Sequence, residues 1–212
     1  MKKGSAFETN ADIYDEWFIK NNYIFDSEIE AIKYLMPDSG EGIEIGAGTG
    51  IFSSRLGIKH GIEPSEKMRS KALERGIDVI SAFAEKIPIA DETYHFALMV
   101  TVDCFLEDVL QAFKEVWRIL SKDVFFIIAF IDRETPLGAI YNQNKQFDNF
   151  YKYANFHSAE EIIKLLERTG FEIQEKKQTI YTLENIMQEV KDNVGNGVFA
   201  VIKAKKCLKT HE

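Results

Sequence analysis

A short alternating run, Gly42-Ile43-Glu44-Ile45, breaks into Gly46-Ala47-Gly48-Thr49-Gly50 and resumes as Ile51-Phe52-Ser53-Ser54-Arg55-Leu56. The first part fits a β-strand and the last can start a helix. Strand, glycine turn and helix in that order open a nucleotide-binding α/β unit. Glycine suits the turn because it accepts positive φ and lets a ligand approach the backbone with no Cβ in the way.

The spacing of those glycines narrows the class. A dinucleotide fingerprint, G-x-G-x-x-G, needs a third glycine where this chain has Ile51, and a phosphate loop needs a Gly-Lys-Ser/Thr ending that is absent. A second constraint comes after the next predicted strand, residues 57–62, which ends in Glu63-Pro64-Ser65. Glu63 stands close to the roughly 20 positions past the first glycine at which an acidic residue takes a ribose. Its two oxygens can accept from the 2′- and 3′-hydroxyls together. A surface turn is the plainer reading of the same residue.

The surrounding pattern predicts alternating strands and helices. Residues 7–24 carry Ile13, Tyr14, Trp17, Phe18, Tyr23 and Ile24 at largely helical spacing, and a second helix is expected from Asp26-Ser27 to Met36, ahead of Pro37. After Pro64-Ser65 a helix runs to Gly76, followed by a short strand at residues 78–80. His95 is expected to be a buried, hydrogen-bonded residue at a strand start. Residues 96–100 form an apolar run typical of a central parallel strand, and Thr101, Val102, Asp103, Cys104 and Phe105 lie beyond its carboxyl end, where ligands of open α/β sheets bind. A helix over 106–120 follows, its Trp117 read as core, then a buried strand at 124–130. Ser158-Ala159-Glu160-Glu161 is a capping box, its helix runs to Gly170, and residues 171–179 and 198–204 read as a closing antiparallel pair.

Composition excludes several classes. With 212 residues, 45% of them hydrophobic, one domain with a sizeable core is expected over residues 1–212. No run reaches the roughly 18 apolar residues of a membrane span, and the basic opening Met1-Lys2-Lys3 leads into polar sequence, unlike a signal peptide. A net charge of -8 argues against broad affinity for nucleic acid or anionic membrane. The Lys-rich residues 203–209 are read as a solvated end rather than a basic patch. Cys104 and Cys207 fit no metal or disulfide spacing, so a reduced, cytoplasmic protein without a metal is expected.

Glu44-Ile45-Gly46-Ala47-Gly48-Thr49-Gly50 resembles the E-x-G-x-G-x-G motif of the class I S-adenosylmethionine-dependent methyltransferases. Ala84-Glu85-Lys86-Ile87-Pro88 resembles their A-E-x-L-P segment, and Tyr14-Asp15-Glu16-Trp17-Phe18 the Y-D-x-W-F opening of the methyltransferase domain 11 type, akin to ubiquinone and menaquinone biosynthesis enzymes. Two departures stand out: His95 replaces a usual Asp, and Ser121-Lys122-Asp123 replaces a Pro-Gly-Gly turn. The resemblance implies a Rossmann-like, mostly parallel seven-stranded sheet of order 3-2-1-4-5-7-6, strand 7 antiparallel, with helices on both faces. It implies S-adenosyl-L-methionine as cofactor and S-adenosyl-L-homocysteine as product. Cofactor contacts would fall at Glu44, Gly46, Ala47, Gly48 and Gly50, at Glu63, Pro64, Ser65 and Met68, at Ala84 and Glu85, and at Thr101, Val102 and Phe105.

Residues 1–37 are expected to be a helical lid and about 132–157 a substrate cap, with Tyr14, Trp17, Phe18, Tyr23, Asp103 and Tyr141 as acceptor-side candidates and His157 another residue able to orient an acceptor. An activated sulfonium methyl needs chiefly a well-placed nucleophile, so no catalytic residue is assigned. The expected partner is a small-molecule methyl acceptor rather than nucleic acid or membrane, with a monomer or homodimer as assembly. The same motifs would serve a non-catalytic protein that binds or senses the methyl donor. A nicotinamide-dependent oxidoreductase is disfavoured by Ile51.

Overall fold

A computed structural model of the chain describes residues 5–207. Helices α1 (Ser5–Thr9), α2 (Ala11–Lys20) and α3 (Asn22–Lys33) precede β1 (Gly42–Ile45), α4 (Ile51–Leu56), β2 (His60–Ile62), α5 (Glu66–Glu74) and β3 (Asp78–Ile80). Then come β4 (Tyr94–Val100), α6 (Val109–Ile119), β5 (Leu120–Ile131), α7 (Pro136–Asn144), α8 (Ala159–Thr169), β6 (Phe171–Thr179), β7 (Lys191–Asp192) and β8 (Phe199–Lys206). One sheet runs in the order β3-β2-β1-β4-β5-β8-β6-β7. Its first five strands are parallel, and β8 lies antiparallel to both β5 and β6. The order is the one expected, lengthened to eight strands by the two-residue β7, which pairs with Lys177 and Gln178 at the edge.

Side-chain alternation sorts the core into two layers. Ile43, Ile45, Ala97, Met99, Phe126 and Ile128 pack on Phe113 and Val116 of α6 and on Ile162 and Leu166 of α8. Phe96, Leu98, Val100, Ile127 and Ala129 face the opposite way, onto Phe25, Ile29 and Ile32 of α3 and Phe52 of α4. Glu44, between Ile43 and Ile45, therefore points into the α3–α4 layer. Gly42 is required there by close packing, since a Cβ would lie 2.1 Å from the Phe96 ring.

Several expectations are corrected. The break between the first two long helices comes at Asn21, not at Asp26-Ser27. Ser27 looks like an N-cap but is buried in mid-helix, where its hydroxyl donates to the Tyr23 carbonyl and accepts from the Gln188 N–H. His95 is exposed, and its Nδ1 accepts from the Glu41 N–H at 3.3 Å. The helix predicted over 106–120 begins at Val109, where Asp108 accepts from the Gln111 N–H, because Asp103–Phe105 forms a separate 3-10 turn. In place of a glycine turn before β5, Asp123 takes the left-handed conformation at φ +59, which Asp tolerates better than most side chains.

As far as Lys206 the Lys-rich segment is no solvated end: Lys203, Lys205 and Lys206 belong to the interior strand β8. Lys206 is buried, donates to the Leu120 carbonyl at 2.6 Å and lies 3.9 Å from the centre of the Trp117 ring, which packs against the core as expected. Residues 208 and 209, like Met1-Lys2-Lys3, lie outside the described residues. Among the described residues no helix is long and apolar enough to cross a membrane.

Phe113 is fully buried and joins α6 to the sheet through an edge-on contact with Phe126 at 5.4 Å. Phe113→Ala is expected to lower unfolding stability by about 3–5 kcal/mol, read as a fall in the urea midpoint at constant slope.

Candidate functional site

The glycine loop is fixed from β2. Gly46 and Ala47 both donate to the Ile62 carbonyl, at 2.9 Å each, and Gly50 donates back to Ala47 at 2.8 Å. Gly46, Gly48 and Gly50 all have positive φ, between +54 and +75. Their surroundings differ. A Cβ on Gly46 would come within 2.4 Å of Val102, and one on Gly50 within 3.1 Å of Ala72 and Ile77. Gly48 has nothing nearer than the Tyr14 ring at 4.0 Å. The outer two glycines thus serve packing, and Gly48 presents open backbone.

Glu63 closes the loop. Its Oε2 accepts from the Gly48 N–H at 3.0 Å and its Oε1 from the Ser65 N–H at 2.8 Å. Burial raises its pKa, partly offset by those two N–H donors. Each oxygen keeps a second lone-pair direction for a hydroxyl. Glu44 is buried one strand inward and accepts from the Ser53 hydroxyl of α4. Loss of solvent pushes its carboxyl up to about 8, with Glu63 adding to the rise.

Of the remaining candidates near the loop, Ser65 caps α5 by accepting from the Met68 N–H, Met68 is buried, and Pro64 is exposed. Ala84 is buried, whereas Glu85 turns to the start of α6 and accepts from the Glu107 N–H at 3.0 Å. Thr101 sits at φ +53, strained for a β-branched residue, at the carboxyl end of β4.

The helices ahead of β1 are tied to this loop by Asp15, a residue the sequence reading quoted only as part of a motif. Asp15 is buried and accepts from the Thr49 hydroxyl at 2.6 Å, from Arg75 at 2.9 Å and from Lys71 at 3.2 Å. Arg75 also donates to the Thr49 carbonyl at 2.7 Å. The neighbouring Tyr14 is held beside Gly48, and burial together with the carboxylates of Glu44, Glu28 and Glu63 keeps its phenol protonated. Phe18 is buried against Phe25 and Phe52, while Trp17 and Tyr23 stay partly exposed on the outer side.

From the other direction residues 132–157 fold inward as α7 and two 3-10 turns. Their Tyr141 and Tyr151 meet at 6.1 Å, and Tyr151 stacks on Phe105 at 5.9 Å. Asp103 and His157 come together: His157 Nδ1 lies 2.9 Å from Asp103 Oδ2, and burial raises the Asp103 pKa while His157 holds it down. Glu28 was missed by sequence reading. Its signal is a charge placed on the apolar stripe of Phe25, Ile29 and Ile32, where an exposed residue would be expected.

Comparisons with known proteins point to one family. The methyltransferase domain family matches residues 43–128, from β1 into β5. A Thermotoga maritima S-adenosylmethionine-dependent methyltransferase, described as a possible histamine N-methyltransferase, is 41% identical. The match covers 97% of this chain and all of that one, at a TM-score of 0.93. An uncharacterized protein of Methanocaldococcus jannaschii is also 41% identical, over 95% of this chain and 99% of its own length. At 14% identity and a TM-score of 0.62, covering 85% of this chain and 80% of the other, the [4+2]-cyclase SpnF shares the fold alone.

Glu44 carries a stability consequence with a definite sign. A carboxyl raised to about 8 when folded, against an ordinary 4.5, binds more protons folded than unfolded. Stability from this group is complete below about pH 4.5 and declines as pH rises toward 8. Glu44→Gln is expected to be more stable than the parent at pH 8.5 by about 1 kcal/mol or more, with little difference at pH 4. Urea unfolding at the two pH values measures it.

Proposed function

The chain belongs to the S-adenosylmethionine-dependent methyltransferases, and from that premise we propose that it methylates a small-molecule acceptor held between the glycine loop and the segments on either side of it. The carrying observation is Glu63, a buried carboxylate fixed by the Gly48 and Ser65 N–H groups beside open backbone. That arrangement fits the cofactor. Glu63 takes the ribose diol, and Gly48 lets the nucleoside lie close. The Glu44 carboxyl, neutral while buried alone, ionises against the ammonium of the methionine portion. Met68 and Ala84 border the adenine, and Thr101, Val102 and Phe105 the sulfonium end.

When bound, S-adenosylmethionine supplies a methyl already activated by positive sulfur. The protein's share is then to orient the acceptor and exclude water. In this reading the described part of residues 1–37 is the lid, anchored through Asp15, and residues 132–157 are the cap. The acidic net charge favours a small molecule over nucleic acid. The description of the Thermotoga maritima relative supports placing histamine and other small amines first in an acceptor screen.

Isothermal titration with S-adenosylmethionine, S-adenosylhomocysteine and NAD tests the donor site, with Glu63→Ala alongside. Micromolar binding of the first two, at least about tenfold weaker in the variant, is expected, with no NAD binding. Binding of NAD alone overturns the reading. Methyl transfer to an acceptor from the screen, followed as S-adenosylhomocysteine release, tests turnover.

A further inference from the structure

Glu28 has no ordinary reason to be where it is. It is 9% exposed on α3, next in the helix to Phe25, Ile29 and Ile32, which pack in the apolar layer between that helix and the sheet. Among the described residues no group donates a hydrogen bond to its carboxyl and no cation pairs with it. An isolated buried acid is costly, and structures keep one chiefly where something else is met there. Loss of solvent raises its carboxyl to about 8, and a cation beside it would favour the ionised form.

What surrounds it is aromatic. Tyr14, Tyr141 and Tyr151 pack against the same apolar layer as its α3 neighbours Phe25, Ile29 and Ile32, Tyr14 through Phe18 at 5.0 Å and Phe18 through Phe25 at 4.8 Å, and a charge on Glu28 opposes ionisation of all three phenols. Those three rings belong to one continuous belt. Tyr14 meets Phe150 at 5.6 Å, Phe150 meets Phe7 at 5.6 Å, Phe7 meets Phe105 at 5.0 Å, and Phe105 leads to Tyr151 and Tyr141. The belt is built from the helices before β1, the turn after β4 and the segment 132–157. Tyr14 is its point of contact with the donor loop, beside Gly48 and within reach of Glu44 and Glu63. Aromatic faces with one carboxylate among them are the chemistry that binds an organic ammonium, by charge pairing and cation–π attraction.

Resting on the methyltransferase reading above, we infer that Glu28 and the rings of Tyr14, Tyr141 and Tyr151 form an acceptor subsite for the cationic end of a small amine. A nitrogen held as ammonium has no lone pair with which to attack. The atom that receives the methyl group is therefore a second nucleophile of the same acceptor, carried toward the Tyr14 end of the belt. The acceptor class is a small amine bearing another nucleophilic atom. Glu28 acts as a binding and positioning residue.

Titration with histamine, phenethylamine and its neutral counterpart 2-phenylethanol tests this, with and without S-adenosylhomocysteine. Both amines should bind more tightly than the alcohol. Glu28→Gln, nearly identical in shape, should weaken the amines at least about thirtyfold and leave the alcohol unchanged. Tyr151→Leu keeps the charge but removes a ring face, and should weaken the amines severalfold. Equal binding of alcohol and amine, amine affinity retained in Glu28→Gln, or failure of the parent protein to bind either amine would each overturn the subsite. S-adenosylhomocysteine affinity, measured on parent and Glu28→Gln, should be the same. Its absence from both would sink the donor site while leaving the amine result to stand or fall separately.

Discussion

One carbonyl holds the centre of this structure. The Ile62 oxygen at the end of β2 receives the N–H groups of both Gly46 and Ala47, so the chain leaving β1 must turn toward its neighbour at once. That turn sets Gly48 beside Glu63, and Glu63 returns the contact by accepting from Gly48. β1 and β2 are thus joined twice at one end, first by backbone and then by side chain. Everything proposed for the donor site hangs on that double closure, because it decides which backbone is packed and which is open. Val102 against Gly46 then brings the end of β4 to the same spot.

The same region stores unfavourable electrostatics. Glu44, Glu63 and Glu28 are three buried acids whose charges all oppose ionisation of Tyr14, and desolvation raises each of them. A fold selected for stability alone would replace such groups with apolar ones. Asp15 shows the contrast: equally buried, it is met by Thr49, Arg75 and Lys71 and so secures the α2 helix. Asp15 is held by two cations, whereas Glu44 and Glu63 receive hydrogen bonds from neutral donors alone.

The parts legible in the sequence were those written locally. The glycine loop, Glu63 after β2, the Ser158 capping box and the apolar β4 are encoded by neighbours within a few positions, and each stands where it was expected. Pairings across the chain were not legible. Ser27 reads as a helix start until Gln188 is seen to occupy it, and the lysines of β8 read as solvated until the strand is seen between β5 and β6. Asp103 and His157 were each visible as able to orient an acceptor, but their union depends on how the segment before α8 returns to the sheet. Glu28 was legible in principle, as a charge on the wrong face of a helix.

The interior place of β8 also bears on how the molecule is made. Strands β1 to β5 find all their mutual partners within residues 42–131, whereas in the finished sheet β6 is separated from β5 by β8. During synthesis the β5 edge, lined by Ile127, Ile128 and Ala129, waits unpaired while residues 132–198 are added. Such an open, apolar edge is a template for pairing with another chain. The buried Lys206, reaching Leu120 at the root of β5, then fixes the last strand in register once it inserts. Slowing the ribosome just before residue 199 would lengthen the exposure of that edge, and speeding it past that point would shorten it.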